Sequence, residues 1–332
     1  MTHAAAAPSA ALALLLACAT PGAAAEATPK VVASIHPVHS LVAGVMEGVG
    51  TPSLLVSPGA SPHAYQMRPS EAKALAGADL VVWVGEELEA FLAKPVASLG
   101  GRARVLELME APGVELLPTR EGGAWDEHEH HADEDHGSRK EPEHHDKEHA
   151  AEGHHEHGER DAHIWLSPAN SRAIVRAVET ALAGADPARA ARYAANAEAV
   201  TARLTALEGE MAAQLAPVRE RPYVVFHDAY HYLEHAFGLN AAGSITVSPE
   251  RQPSAERLAE LRERIRREGA ACVFGEPQVT TKLVATVVEG TKAGVGELDA
   301  EGSGRIAPGP DAYFTLMRQN AKALSDCLSK PS

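Results

Sequence analysis

Aromatic residues make up only 4% of the 332-residue chain, and cysteines number three. No run approaches the roughly 18 consecutive apolar residues of a membrane helix. Basic residues are also short, with 30 Lys and Arg against 45 Asp and Glu and a formal net charge of −15. Each shortage excludes something. With few rings to fill a core, the helices must be Ala-rich and closely packed, a composition that points to no ligand class. Without a long apolar run there is no spanning helix. Without a basic face, neither nucleic acid nor an anionic membrane is a suitable partner, because phosphate binding needs clustered cations.

What is present is unevenly spread. Residues 121–160 hold 14 Asp or Glu against 4 Lys or Arg, so this stretch contributes −10 and the rest of the chain only −5. Ten histidines fall in the same stretch: His128, His130, His131, His136, His144, His145, His149, His154, His155 and His157. It has no apolar face to bury, so it reads as a disordered, metal-attracting loop.

At the N-terminus, the apolar run Ala11–Ala17 and the small residues Ala23, Ala24 and Ala25 form a secretory signal pattern, so residues 1–25 are expected to be removed. The segment carries no Lys or Arg ahead of its apolar run. Cys18, after Leu15, Leu16 and Ala17, also fits a lipid-attachment pattern, a competing reading. Cys272 and Cys327 remain in the mature chain. An even count in an oxidising compartment suggests a disulfide, against the alternative of two unrelated buried thiols.

The length and the 45% hydrophobic content suit two lobes rather than one oversized core. Short apolar or β-branched runs occur at Val31–Ile35, Leu54–Val56, Leu80–Val84, Tyr223–Phe226 and Cys272–Phe274, separated by helical stretches. That is the pattern of parallel strands buried on both faces, and the fold class is α/β. Ser70 is placed as the cap of a helix ending at Gly77, and Ser167 with Pro168 opens another. From Pro187 to about Leu215 the chain is rich in Ala, Leu, Glu and Arg, a helix near 40 Å long that can bridge two lobes.

Polar residues recur just past the strands: His36, Gly85 with Glu86, His227 with Asp228, and Gly275 with Glu276. In α/β sheets ligands bind outside the carboxyl ends of the strands, which points to one crevice. His63, in the loop after Leu54–Val56, and His163, before the turn at Ser167, belong to the same set. Neutral imidazoles are good zinc ligands, and three on rigid elements leave a fourth tetrahedral position for water or a carboxylate.

Four segments carry a resemblance: SPHAYQMRPS (61–70), DLVVWVGEELEAFL (79–92), DAHIWLSP (161–168) and FHDAYHYLEHAFGL (226–239). With the His-rich acidic stretch between the second and third, and the C-terminal cysteine pair, the chain resembles the zinc-specific substrate-binding proteins of ABC transporters, the ZnuA-like group. The resemblance implies two α/β lobes, each with a mainly parallel sheet, joined by a long helix and with metal between them. The expected division is 26–186, 187–217 and 218–332. It places the metal ligands at His63, His163 and His227. Where some members have Glu before the first histidine this chain has Pro62, so water completes the site, or else Asp299, which matches a carboxylate position of related manganese and zinc binders. Three histidines favour zinc, and two with two carboxylates would favour manganese.

The implied function is periplasmic capture of Zn²⁺ and delivery to the membrane permease of an ABC importer, by a monomer and without catalysis. A manganese binder, a zinc store and an adhesin are the alternatives. One motif points elsewhere: His231, Glu234 and His235 satisfy H-x-x-E-H, an inverted zinc-protease pattern in which Glu234 would be the base. The 121–160 stretch is expected to scavenge zinc near the cleft or to report zinc sufficiency, against the alternative of a solubilising insertion.

Overall fold

The computed structural model describes residues 27–120, 160–246, 253–278, 281–303 and 305–330. The signal segment, Cys18 and the ten-histidine stretch lie outside these residues. Two four-stranded parallel sheets form the frame. The first holds β1 (Val31–Ala33), β2 (Ser53–Leu54), β3 (Leu80–Trp83) and β4 (Arg104–Glu107) in the order β2-β1-β3-β4. The second holds β5 (Tyr223–His227), β6 (Ala241–Thr246), β7 (Cys272–Gly275) and β8 (Gly294–Glu297) in the order β6-β5-β7-β8.

The inner strands β1, β3 and β5 are buried at every position, which is why they stand out as apolar runs. Three strands escape sequence reading. β4, β6 and β8 have sequences RVLE, AAGSIT and GVGE and lie at sheet edges, where one flank is open and a continuous apolar run is not required.

Helices cover the sheets: α1 (His36–Val45), α2 (Pro69–Ala76), α3 (Ala90–Ser98) and α4 (Pro168–Ala185) in the first half, and α6 (His231–Phe237), α7 (Ala255–Glu268), α8 (Thr281–Val288) and α9 (Ala312–Leu328) in the second. Ser167 caps α4 as expected, its Oγ accepting the Asn170 N–H at 3.2 Å. Ser70 does not cap α2. Pro69 already occupies the first turn, and the Glu71 carboxylate takes the Arg68 N–H at 2.6 Å, which moves the cap two residues back.

Between the sheets in sequence runs α5 (Ala190–Leu215), 26 residues preceded by a 3-10 turn at Pro187–Arg189. At 1.5 Å per residue it spans about 39 Å. Tyr193, Ala197, Val200, Leu204, Leu207, Met211 and Leu215 recur every three or four residues and make its buried stripe. It packs against α1, α4 and α9. Gly44 of α1 is required there, since a Cβ would sit 2.8 Å from Val200.

One apolar core continues across both halves, from Val31, Val82 and Trp165 to Tyr223, Phe274 and Tyr313. The Tyr313 N–H donates to Ser40 Oγ and its hydroxyl to the Trp165 carbonyl, each at 2.9 Å, so α9 is tied to the first half. Cys272 of β7 and Cys327 of α9 form a disulfide with Cα atoms 6.2 Å apart. Among the described residues no helix is long and apolar enough to cross a membrane.

Candidate metal centre

His227 is the last residue of β5 and only 1% exposed. The neighbouring parallel strand β7 ends one residue before Glu276, whose Oε1 accepts from His227 Nδ1 at 3.0 Å. The Tyr230 hydroxyl donates to the same oxygen at 3.3 Å. His163 leads into a 3-10 turn, Ile164–Leu166, whose three side chains are fully buried. Asp161, two residues earlier, accepts both the His163 backbone N–H (2.9 Å) and its Nδ1–H (2.7 Å) on one oxygen. His63 sits in a 3-10 turn opened by Pro62.

These elements bring the three imidazoles together. Ring centroids lie 5.5 Å apart for His63 and His163, 5.6 Å for His63 and His227, and 5.0 Å for His163 and His227. Their ligand atoms fall within 4.8 Å of one another, and theirs is the one such group of His, Cys, Asp or Glu among the described residues. The Nε2 atom of each is buried and has no hydrogen-bond partner. Three orphaned acceptor nitrogens facing one point are costly in an apolar setting and are satisfied together by a cation.

The carboxylates on the far nitrogens assign Nδ1 as the protonated atom of His163 and His227, which leaves Nε2 free to ligate. Burial, reinforced by His163 and His227, holds the His63 imidazole well below its ordinary pKa, so it is neutral and available near neutral pH. Burial disfavours charge on His227, but Glu276, together with Asp228 and Asp161, outweighs it and raises that imidazole. Sequence reading singled out Glu276 only as a strand-end residue. Asp161 lay inside a quoted motif without a role. Both carry a recognisable signal, a carboxylate one strand end away or two residues before a histidine.

Asp299 is not brought to the three histidines. Its Oδ1 accepts the N–H groups of Glu301 (3.1 Å) and Gly302 (2.8 Å), and its Oδ2 that of Ser303 (2.6 Å). These three bonds tie the carboxylate into the 299–303 turn. That turn bridges the halves, since Trp165 Nε1–H donates to the Ala300 carbonyl at 2.7 Å and His36 Nδ1 lies 2.9 Å from the Gly302 carbonyl. Gly302 adopts φ +76°, and a Cβ would stand 2.6 Å from His36 Nδ1, so glycine is needed there.

The H-x-x-E-H residues lie on α6 but form no metal-binding group. Glu234 is buried and receives Arg120 Nη1 at 2.6 Å, while Arg120 also engages both carboxylate oxygens of Asp228. His231 stands 3.9 Å from Asp161, and His235 is exposed 3.9 Å from Glu115.

Two parallel α/β sheets carrying a three-histidine cluster, two of its rings backed by carboxylates, define a metal-binding protein of the solute-binding type. The model of the family described as zinc-uptake complex component A, periplasmic (ZnuA), matches residues 31–327, and the chain belongs to that family. It is 46% identical to the high-affinity zinc uptake system protein ZnuA of Brucella suis over 307 residues, 90% of this chain and 92% of that protein. In fold it is similar to a mutant of the laminin-binding adhesin of Streptococcus agalactiae, with a TM-score of 0.71 and 22% identity over 90% of this chain and 99% of that one. It is likewise similar to the substrate-binding protein FpvC of Pseudomonas aeruginosa in complex with Mn²⁺, with a TM-score of 0.73 and 23% identity over 91% and 98%.

Proposed function

We propose that this chain captures Zn²⁺ in the periplasm on His63, His163 and His227 and delivers it to the membrane permease of an ABC importer. The observation that carries this reading is the convergence of three buried, unpartnered Nε2 atoms, two of them on rings whose Nδ1 is held by a carboxylate. An all-imidazole set suits zinc, whereas a manganese site would bring carboxylates among the ligands, and the group gathered here holds none. Water fills the fourth tetrahedral position.

Capture and release need no bond chemistry, and the protein acts without catalysis. Glu234 as a base would first have to leave Arg120, which argues against the hydrolase reading. With one core running through both halves, exchange proceeds by movement of the turns carrying His63 and His163 rather than by wide hinge opening. The protein works as a monomer. Residues 1–25 direct export, 26–186 and 218–332 are the two lobes, and 187–217 is the joining helix.

The test is a Zn²⁺ titration against a competing chelator, using the chain without residues 121–159 beside its His227→Ala variant. One tight site per chain that is lost in the variant supports the reading. A tight site indifferent to His227, or none, refutes it. Protons compete for imidazole, at His227 first because its pKa is raised and at His63 last because its pKa is lowered, so affinity should fall progressively as pH drops through the imidazole range.

A further inference from the structure

The segment ending at Arg120 and the one beginning at Arg160 lie side by side as a short stem. Pro118 and Arg160 pair as an antiparallel bridge, and the Asp161 N–H donates to the Leu117 carbonyl at 2.8 Å. This stem belongs to the first half of the molecule, but what grips it belongs to the second. The Tyr232 hydroxyl of α6 accepts the Leu117 N–H at 3.0 Å and donates to the Asp161 carbonyl at 2.7 Å, joining both strands of the stem. Arg120 reaches the other way. Its Nε donates to Asp228 Oδ2 at 3.1 Å, its Nη2 to Asp228 Oδ1, and its Nη1 to Glu234 Oε2 at 2.6 Å.

The placement of these partners matters more than their number. Asp228 directly follows His227, and Asp161 of the stem holds the His163 ring. Side chains of Arg120, Asp228 and Glu234 are 17%, 7% and 5% exposed, so the two carboxylates are too sheltered for water to replace the guanidinium. A planar guanidinium that pairs with both oxygens of one carboxylate fixes orientation as well as distance.

We propose that Arg120 is a positioning residue of the histidine site. It locks the strand end that carries His227 onto the stem that carries Asp161 and His163, and so sets the spacing of two ligands contributed by different halves. This inference rests on the zinc-site reading above. A lysine would supply the charge but not the two-sided fork, so charge and geometry are separable.

The experiment uses the full chain and measures Zn²⁺ affinity by chelator competition, the visible spectrum with one equivalent of Co²⁺, and the urea midpoint of the metal-free protein. Arg120→Met should weaken Zn²⁺ about tenfold and alter the Co²⁺ bands, as loss of an outer support of a ligand does. That variant also strands two buried carboxylates, so Arg120→Met/Asp228→Asn/Glu234→Gln is made beside it. The triple variant should recover the urea midpoint while affinity and spectrum stay altered, and Arg120→Lys should fall between. Affinity within about twofold of the parent and an unchanged Co²⁺ spectrum in the triple variant would overturn the proposal, showing Arg120 to be a charge partner only. A parent chain without a tight site sensitive to His227→Ala would instead sink the zinc reading itself.

Discussion

Read along the chain, both sheets are laid down in the same spatial order, second, first, third, fourth, and yet the two halves present histidine differently. The second half places His227 on the strand itself and takes its supporting carboxylate, Glu276, from the end of the adjacent strand. The first half uses turns: His63 rides a 3-10 turn and is only half-buried, and His163 precedes another, with its support two residues away. One half therefore offers a ligand fixed on a strand, and the other adds ligands on short turns, His63 being the less buried of them. The second half alone, among the described residues, is cross-linked, through Cys272 and Cys327. A rigid ligand facing adjustable ones suits a site that must both hold and surrender a cation.

The comparison can be broken first at the disulfide. A cross-link closing 55 residues contributes about 4 kcal/mol on chain-entropy reasoning, so Cys272→Ala/Cys327→Ala should lose roughly that in urea denaturation. Hydrogen exchange should accelerate mainly in β7, β8 and α9. Equal acceleration in β1 and β3 would mean that the shared core, not the cross-link, governs the second half.

The first half has its own weak point in Glu89. Fully buried, its carboxyl is pushed up to about 7, while Oε2 accepts the Val84 and Gly85 N–H groups at 2.8 and 3.3 Å. In the unfolded chain the group ionises near 4.5. Between pH 4.5 and 7 the unfolded state therefore releases its proton first, and stability falls as pH rises through that window, by at most about 3 kcal/mol. Glu89→Gln keeps an acceptor oxygen and should flatten the slope, gaining on the parent at pH 8 and matching it below pH 4.5. Urea midpoints across pH decide this, and a parent with no slope there would show that Glu89 is not held neutral.

Ligand substitutions sharpen the contrast. His227→Ala should weaken Zn²⁺ binding by about a hundredfold or more, since two imidazoles and water make a poor zinc site. His63→Ala, on the adjustable side, should cost less, because its turn can admit water more readily. Isothermal titration of both variants reads the difference, and a larger loss at His63 would reverse the assignment of rigid and adjustable partners. The smallest effects belong to the supports. Glu276→Gln and Asp161→Asn should each reduce affinity about tenfold with the fold intact.

Much of this was legible in the amino-acid order. Val31–Ala33, Leu80–Trp83 and Tyr223–His227 are buried on both sides and so announce themselves, and α5 follows from its Ala, Leu and Glu content. The edge strand Gly294–Glu297 is different, because its exposure alternates but the inward positions are glycines and the apolar Val295 faces out. At the site, His63, His163 and His227 stand out by following or preceding strand and turn signals. Asp299, expected as a further ligand, lies outside the three-histidine group, and its carboxylate accepts the N–H groups of the tight turn that follows it, a local demand the resemblance alone did not reveal. Arg120 had no sequence signal, since its partners lie 108 and 114 residues away.

The stem at Pro118 and Arg160 has a last consequence, for the length of chain that joins its two strands. Because both ends of the 121–159 stretch are pinned side by side, the folded body is indifferent to how many residues hang between them. On polymer grounds each doubling of that number costs only about 0.6 kcal/mol. Lengthening or shortening the chain between the pinned ends should therefore change stability little, whereas substitutions at Leu117, Arg120, Asp161, Asp228 or Tyr232 strike the collar itself.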